Sequence, residues 1–222
     1  AQQVRPTAGA REEHLAVHVA FDSPTKPLLV ATPAAAATRL RPGETPLVDR
    51  KDFPEQFIGG DPEFVPGPVG QALRADGQRF FQAGNIAGYG FYDPFTAACW
   101  IQPQDLRGGT ILSKMIVSPE ATGWYFTLNK GQLQVHLALR YLDDAMRIET
   151  VQPLAADRWQ HVMFTYDGSR GASGIKILVD GKAVPTRILL DELNQNFTTN
   201  EPLRIGGGGG PDGRFHGLID EV

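Results

Sequence analysis

The sequence predicts an all-β chain folded as two antiparallel sheets packed face to face. Three observations carry this expectation. Ile175, Ile177 and Val179 alternate with Lys176 and Leu178, the period-two pattern of a pleated, half-buried strand. That run ends in Asp180-Gly181, and a dipeptide of this kind between apolar runs is the strongest short-range hairpin signal. Further apolar runs follow one another between Gly, Pro and Asp at spacings suited to a sandwich, and no convincing amphipathic helix interrupts them.

In chain order, residues 1–13 are polar and are expected to be frayed, and a single domain is expected over 14–222. Residues 15–21 (LAVHVAF) read as the first strand. Residues 23–69 hold nine of the 17 prolines and read as an irregular segment wrapping the domain. Strands are then predicted over 72–75, 95–101, 110–115, 124–129, 132–140, 146–150, 159–166, 175–179, 203–205 and 215–222, with one helical turn near 189–194. The glycine run 206–210 reads as a loop, since it lacks the Lys-Ser/Thr of a phosphate-binding loop.

With 222 residues, 41% of them hydrophobic, the chain is long enough to bury one substantial core. The formal charge of −4 comes from 21 basic and 25 acidic residues without runs, which gives no basic stripe for nucleic acid. No apolar stretch reaches the roughly 18 residues a membrane span needs, so no membrane insertion is expected. No basic start leads into an apolar run, so no signal peptide is expected. The single Cys99, within FTAACWIQP, excludes a disulfide framework and reads as an inert core thiol.

One hairpin can be read residue by residue. Strands 124–129 and 132–137 flank the two-residue turn Lys130-Gly131, so Asn129 faces Gln132, Thr127 faces Gln134 and Tyr125 faces His136. Trp124, Phe126, Leu128, Leu133, Val135 and Leu137 then share an apolar face, and the opposite, polar face is expected to meet solvent. Tyr125, Thr127, Gln134, His136 and Arg140 on that polar face combine an aromatic platform with planar hydrogen-bonding groups. They are the candidate glycan-binding set. Trp100, Trp124 and Trp159 are expected in the core.

Several phrases resemble a known family. WQHVMFTYDG (159–168), IKILVDGK (175–182), PLRIG (202–206) and FHGLIDEV (215–222) look like a laminin-G-like, concanavalin A-like jelly-roll domain. VAFD (19–22), GPVGQALRADG (67–77) and DPFTAACWIQP (93–103) resemble its opening strands. AMRIETVQPL (145–154) and DELNQNF (191–197) further resemble the module found in large bacterial proteins that carry planctomycete cytochrome C domains. The resemblance implies a periplasmic or extracellular setting, neighbouring domains in a longer parent chain, and a ligand that is a glycan or a protein. It also implies a structural Ca²⁺ held by Asp220 in IDEV, with Asp22 and the Gly77 region as partners; turn-forming and backbone-bonding roles for these carboxylates are the alternative.

Catalysis is not expected. Retaining glycosidases need two carboxylates about 5 Å apart, and the hydrolases of this superfamily carry a Glu-x-Asp-x-(x)-Glu series that is absent here. Asp143-Asp144, Asp191-Glu192 and Asp220-Glu221 are adjacent pairs, which a strand aims to opposite faces. The five histidines form no His-Glu-x-x-His, and no Cys-x-x-Cys-His haem site exists. The expected function is a non-catalytic recognition or accessory module, with a purely structural interdomain spacer second and a glycoside hydrolase third.

Overall fold

The computed structural model describes residues 16–23, 27–31, 53–115, 121–208 and 213–222. The expectation of a frayed stretch at 1–13 and most of the proline-rich segment lie outside these residues, as do positions 209 and 210 of the glycine run.

The chain forms two antiparallel sheets packed as a sandwich, with a small third ribbon. The ribbon pairs β1 (Val17–Ala20) with β2 (Leu28–Ala31). The remaining strands run β3 (Gln56–Ile58), β4 (Phe64–Pro66), β5 (Gln71–Asp76), β6 (Phe80–Gln82), β7 (Phe95–Pro103), β8 (Gly108–Met115) and β9 (Gly123–Asn129). After them come β10 (Gln132–Arg140), β11 (Asp144–Thr150), β12 (Gln160–Tyr166), β13 (Ile175–Val179), β14 (Lys182–Ala183), β15 (Thr186–Asp191), β16 (Arg204–Ile205) and β17 (His216–Asp220). The eight-stranded sheet has the order β15-β11-β10-β9-β8-β16-β6-β3, and the seven-stranded sheet β14-β13-β12-β7-β17-β5-β4. Neighbours distant in sequence, such as β17 between β7 and β5, mark the crossing connections of a jelly roll.

Alternation decides which residues fill the space between the sheets. Trp124, Phe126 and Leu128 of β9 and Leu133, Val135 and Leu137 of β10 face Cys99 and Ile101 of β7 and Val162, Phe164 and Tyr166 of β12 in one buried cluster. Each such side chain contributes about 1.5–3 kcal/mol on burial. Phe95 and Phe164 meet edge to face at 5.5 Å, and Phe126 packs on Phe164 at 5.3 Å. The Cys99 thiol lies in this core, fully buried, and burial pushes its pKa well up, which suits an inert thiol.

The β9–β10 register matches the expected one: Asn129 opposite Gln132, Thr127 opposite Gln134, Tyr125 opposite His136. Both two-residue turns have positive φ at each central residue, Lys130 (50°) and Gly131 (85°), Asp180 (50°) and Gly181 (76°). This backbone is the type I′ turn whose twist matches that of the strands it joins.

Three elements differ from expectation. The described parts of 23–69 contain strands β2, β3 and β4; short Pro-flanked runs at sheet margins leave little periodicity to read. The expected helical turn near 189–194 is replaced through Asp191 by β15, because pairing with β11 overrides the local preference. The only helical turn among the described residues is a 3-10 turn at Ala172–Gly174. No described helix is long and apolar enough to cross a membrane.

Candidate functional site

Four of the five expected glycan residues, Tyr125, Thr127, Gln134 and His136, lie in register on the outer face of the eight-stranded sheet, but that face is not open. Tyr125 is 1% exposed, Thr127 and His136 are 0% and Gln134 is 6% exposed. The expectation of a solvent-facing surface is therefore overturned. Long side chains from the neighbouring strands β11 and β15 reach across the hairpin and engage most of its polar atoms.

Glu149 on β11 is the hub. Arg187 of β15 donates Nε and Nη2 to its Oε1 at 3.1 and 2.6 Å. Asn129 Nδ2 and Gln134 Nε2 donate to its Oε2, both at 3.0 Å, and Tyr125 donates its hydroxyl to Gln134 Oε1 at 3.2 Å. The cross-strand neighbours of Glu149 are Gln134 and Arg187, so no carboxylate sits opposite it.

His136 forms a second cluster. Arg147 Nε donates to its Nδ1 at 3.0 Å, which places the imidazole proton on Nε2. The ring lies between Tyr125 (5.1 Å) and Tyr141 (4.8 Å), and Arg147 stacks over Tyr141 at 4.4 Å. Burial, aided by the Arg147 charge, holds the His136 pKa well below the ordinary histidine value. Its Nε2 is buried without a hydrogen-bond partner. Arg140, the remaining member of the set, lies past a register shift and pairs with Asp143 at 2.8 Å in solvent.

Lys114, which sequence reasoning passed over, is 1% exposed. It shares a face with its cross-strand partner Trp124 and ties the sheet to two loops through Asn85 Oδ1 (2.8 Å) and the Glu201 carbonyl (2.5 Å). Burial lowers its pKa to about 7, with Arg204 adding to the effect and Glu201 opposing it.

The residues expected to hold calcium divide. Asp22 Oδ1 accepts the Gln71 N–H at 3.1 Å, while Asp220 accepts the Val69 N–H at 3.2 Å and the Glu221 N–H at 2.9 Å. Both carboxylates thus clasp the turn 67–71. Burial raises the Asp220 pKa to about 6, with the Glu221 and Asp22 charges adding to the rise. Gly77 is not with them: its N–H meets the Phe215 carbonyl, five residues back along β17, roughly 17 Å at about 3.4 Å per residue. Calcium needs six to eight oxygens. Asp22 and Asp220 are engaged by backbone amides, and no group of three or more His, Cys, Asp or Glu side chains gathers among the described residues.

Of the tryptophans, Trp124 lies in the core as expected, its indole N–H directed to the Ala87 carbonyl at 3.4 Å. Trp100 and Trp159 do not join the core and are half-buried. Trp100 lies between Cys99 and Ile101, both at 0% exposure, so alternation turns it to the outer face of the seven-stranded sheet.

Three solved structures similar to this chain are informative about scale. The binding domain of botulinum neurotoxin serotype G is 13% identical over 92% of this chain and 46% of its own, with a TM-score of 0.58. The binding domain of botulinum neurotoxin DC, solved in complex with rat synaptotagmin II, is 18% identical over 78% of this chain and 42% of its own, with a TM-score of 0.51. Domain 4 of a GH43 extracellular arabinanase from Geobacillus stearothermophilus, solved with arabinotriose, is 16% identical over 76% of this chain and 80% of its own, at a TM-score of 0.47. The chain thus spans less than half the length of either neurotoxin domain, and at these identities the likeness is one of fold alone. No curated protein sequence matches the chain. Residues 78–222 match the Laminin_G_3 family, described as the concanavalin A-like lectin/glucanases superfamily, and the chain belongs to that family.

Proposed function

We propose that this chain is a non-catalytic carbohydrate-recognition module of a longer, extracytoplasmic protein. The observation that carries the reading is the state of Glu149. Its two oxygens are taken by four donors from Arg187, Asn129 and Gln134. A retaining glycosidase needs a second carboxylate about 5 Å away. The neighbours of Glu149 on its face are instead Gln134, Arg187 and Arg147. The lectin/glucanase-like fold supports a carbohydrate ligand, and the phrases at 145–154 and 191–197 support a place beside other domains, such as cytochrome C domains, in a large bacterial protein.

The buried outer face of the eight-stranded sheet favours a second reading, a ligand-free spacer between domains. A glycan array probed with the 222-residue chain separates the two. Saturable retention on at least one glycan class is expected, and no retention on any class leaves the spacer.

A further inference from the structure

We propose that the outer face of the seven-stranded sheet is the sugar site, with a neutral pyranose stacked on Trp100 and hydrogen-bonded by His161. This rests on the recognition reading above and assigns it a place and a ligand class. Trp100 on β7 and His161 on β12 are direct cross-strand partners, their rings 5.4 Å apart at 68°. Both are half-buried. Met163 and Ala98 form the next pair along the same face, Leu178 stands opposite Met163, and Leu218 stands opposite Gln102. These apolar side chains are half-buried and form a strip that borders the ring pair.

The polar atoms decide what kind of ligand suits this surface. No hydrogen bond engages the Trp100 indole N–H or either His161 ring nitrogen among the described residues; the backbone N–H of His161 alone is bonded, to Asp180 Oδ1 at 2.9 Å. Burial lowers the His161 pKa, against the pull of Asp180, so the neutral ring offers one donor and one acceptor. An aromatic face bordered by a free donor and a donor–acceptor ring matches a pyranose, which presents C–H groups on its flat side and hydroxyls at its rim.

Charge narrows the class. The row Asp220–Trp100–His161–Asp180 places a carboxylate at each end. Asp220 turns its oxygens to the Val69 and Glu221 amides, and Asp180 is engaged by Arg158 at 3.2 Å. Arg74, opposite Leu218 on the same face, is paired with Glu63 at 2.8 Å, so these charges are matched within the protein and a neutral sugar is the class that calls on neither sign.

Titration of the isotope-labelled chain with neutral glucose- and galactose-based oligosaccharides, and with uronic and sulfated ones, tests the proposal by NMR. The Trp100 indole N–H resonance is expected to move with neutral sugars while that of buried Trp124 stays fixed. Trp100→Ala is expected to weaken binding roughly tenfold, and His161→Ala by a smaller factor. The unchanged Trp124 resonance reports that each variant is folded. Neutral-sugar binding that leaves the Trp100 resonance unmoved in the wild-type chain overturns this site and leaves the recognition reading standing. Preference for uronic or sulfated sugars overturns the ligand class, and absence of binding to every sugar overturns both proposals.

Discussion

His136 is held between Tyr125 and Tyr141 with its Nδ1 engaged by Arg147 and its Nε2 bare. A buried donor without a partner costs about 1–3 kcal/mol, and protonating this ring would add a charge beside a guanidinium. Its folded pKa lies below the unfolded value of about 6.5, so between those two values the unfolded chain binds more protons. Stability from this residue is therefore full above pH 6.5 and falls as the pH drops below it. Chemical denaturation from pH 8 to 5 should show this loss. His136→Gln, whose carbonyl can still accept from Arg147, should flatten the pH slope; an unchanged slope contradicts the assignment. At Asp22 and Asp220 the carboxylates are engaged by the amides of the turn 67–71, and melting temperature is expected to be the same in calcium and in chelator. A calcium-dependent rise of several degrees would contradict that account.

The hairpin β9–β10 shows what a strand pair owes to its turn. Lys130 occupies a left-handed position at φ 50°, which costs a non-glycine residue about 1 kcal/mol and which Asn tolerates better. Lys130→Asn is therefore expected to raise stability by about 0.5–1 kcal/mol in denaturant titration, and a loss of stability would contradict the type I′ assignment. This hairpin was legible down to register because period-two alternation and a two-residue turn leave one pairing that buries Trp124, Phe126 and Leu128 together. The exposure of its other face was not legible. Whether Tyr125 and His136 meet solvent depends on Arg147, Glu149 and Arg187, which reach them from strands β11 and β15. Trp100 was legible but was assigned to the core: Cys99 and Ile101 flank it with apolar side chains, and alternation between them assigns the indole to the outer face instead. Strands β3 and β4 carry only three residues each, too few to show a period.

At the scale of the whole molecule, the sandwich divides its polar chemistry between two outer faces. The eight-stranded sheet draws Glu149, Gln134, His136 and Arg147 into a buried network, and the seven-stranded sheet leaves Trp100 and His161 half-buried with ring nitrogens that no hydrogen bond engages among the described residues. A buried network rigidifies the scaffold, and an open aromatic pair is available to a ligand. The fold and family place the chain among lectin- and glucanase-like proteins, where the central question is binding against hydrolysis. The most direct measurement follows both in one incubation of the 222-residue chain with neutral oligosaccharides, reading bound sugar and new reducing ends together. Saturable binding with no new reducing ends is the predicted result, and the accumulation of reducing ends above an enzyme-free control would contradict it.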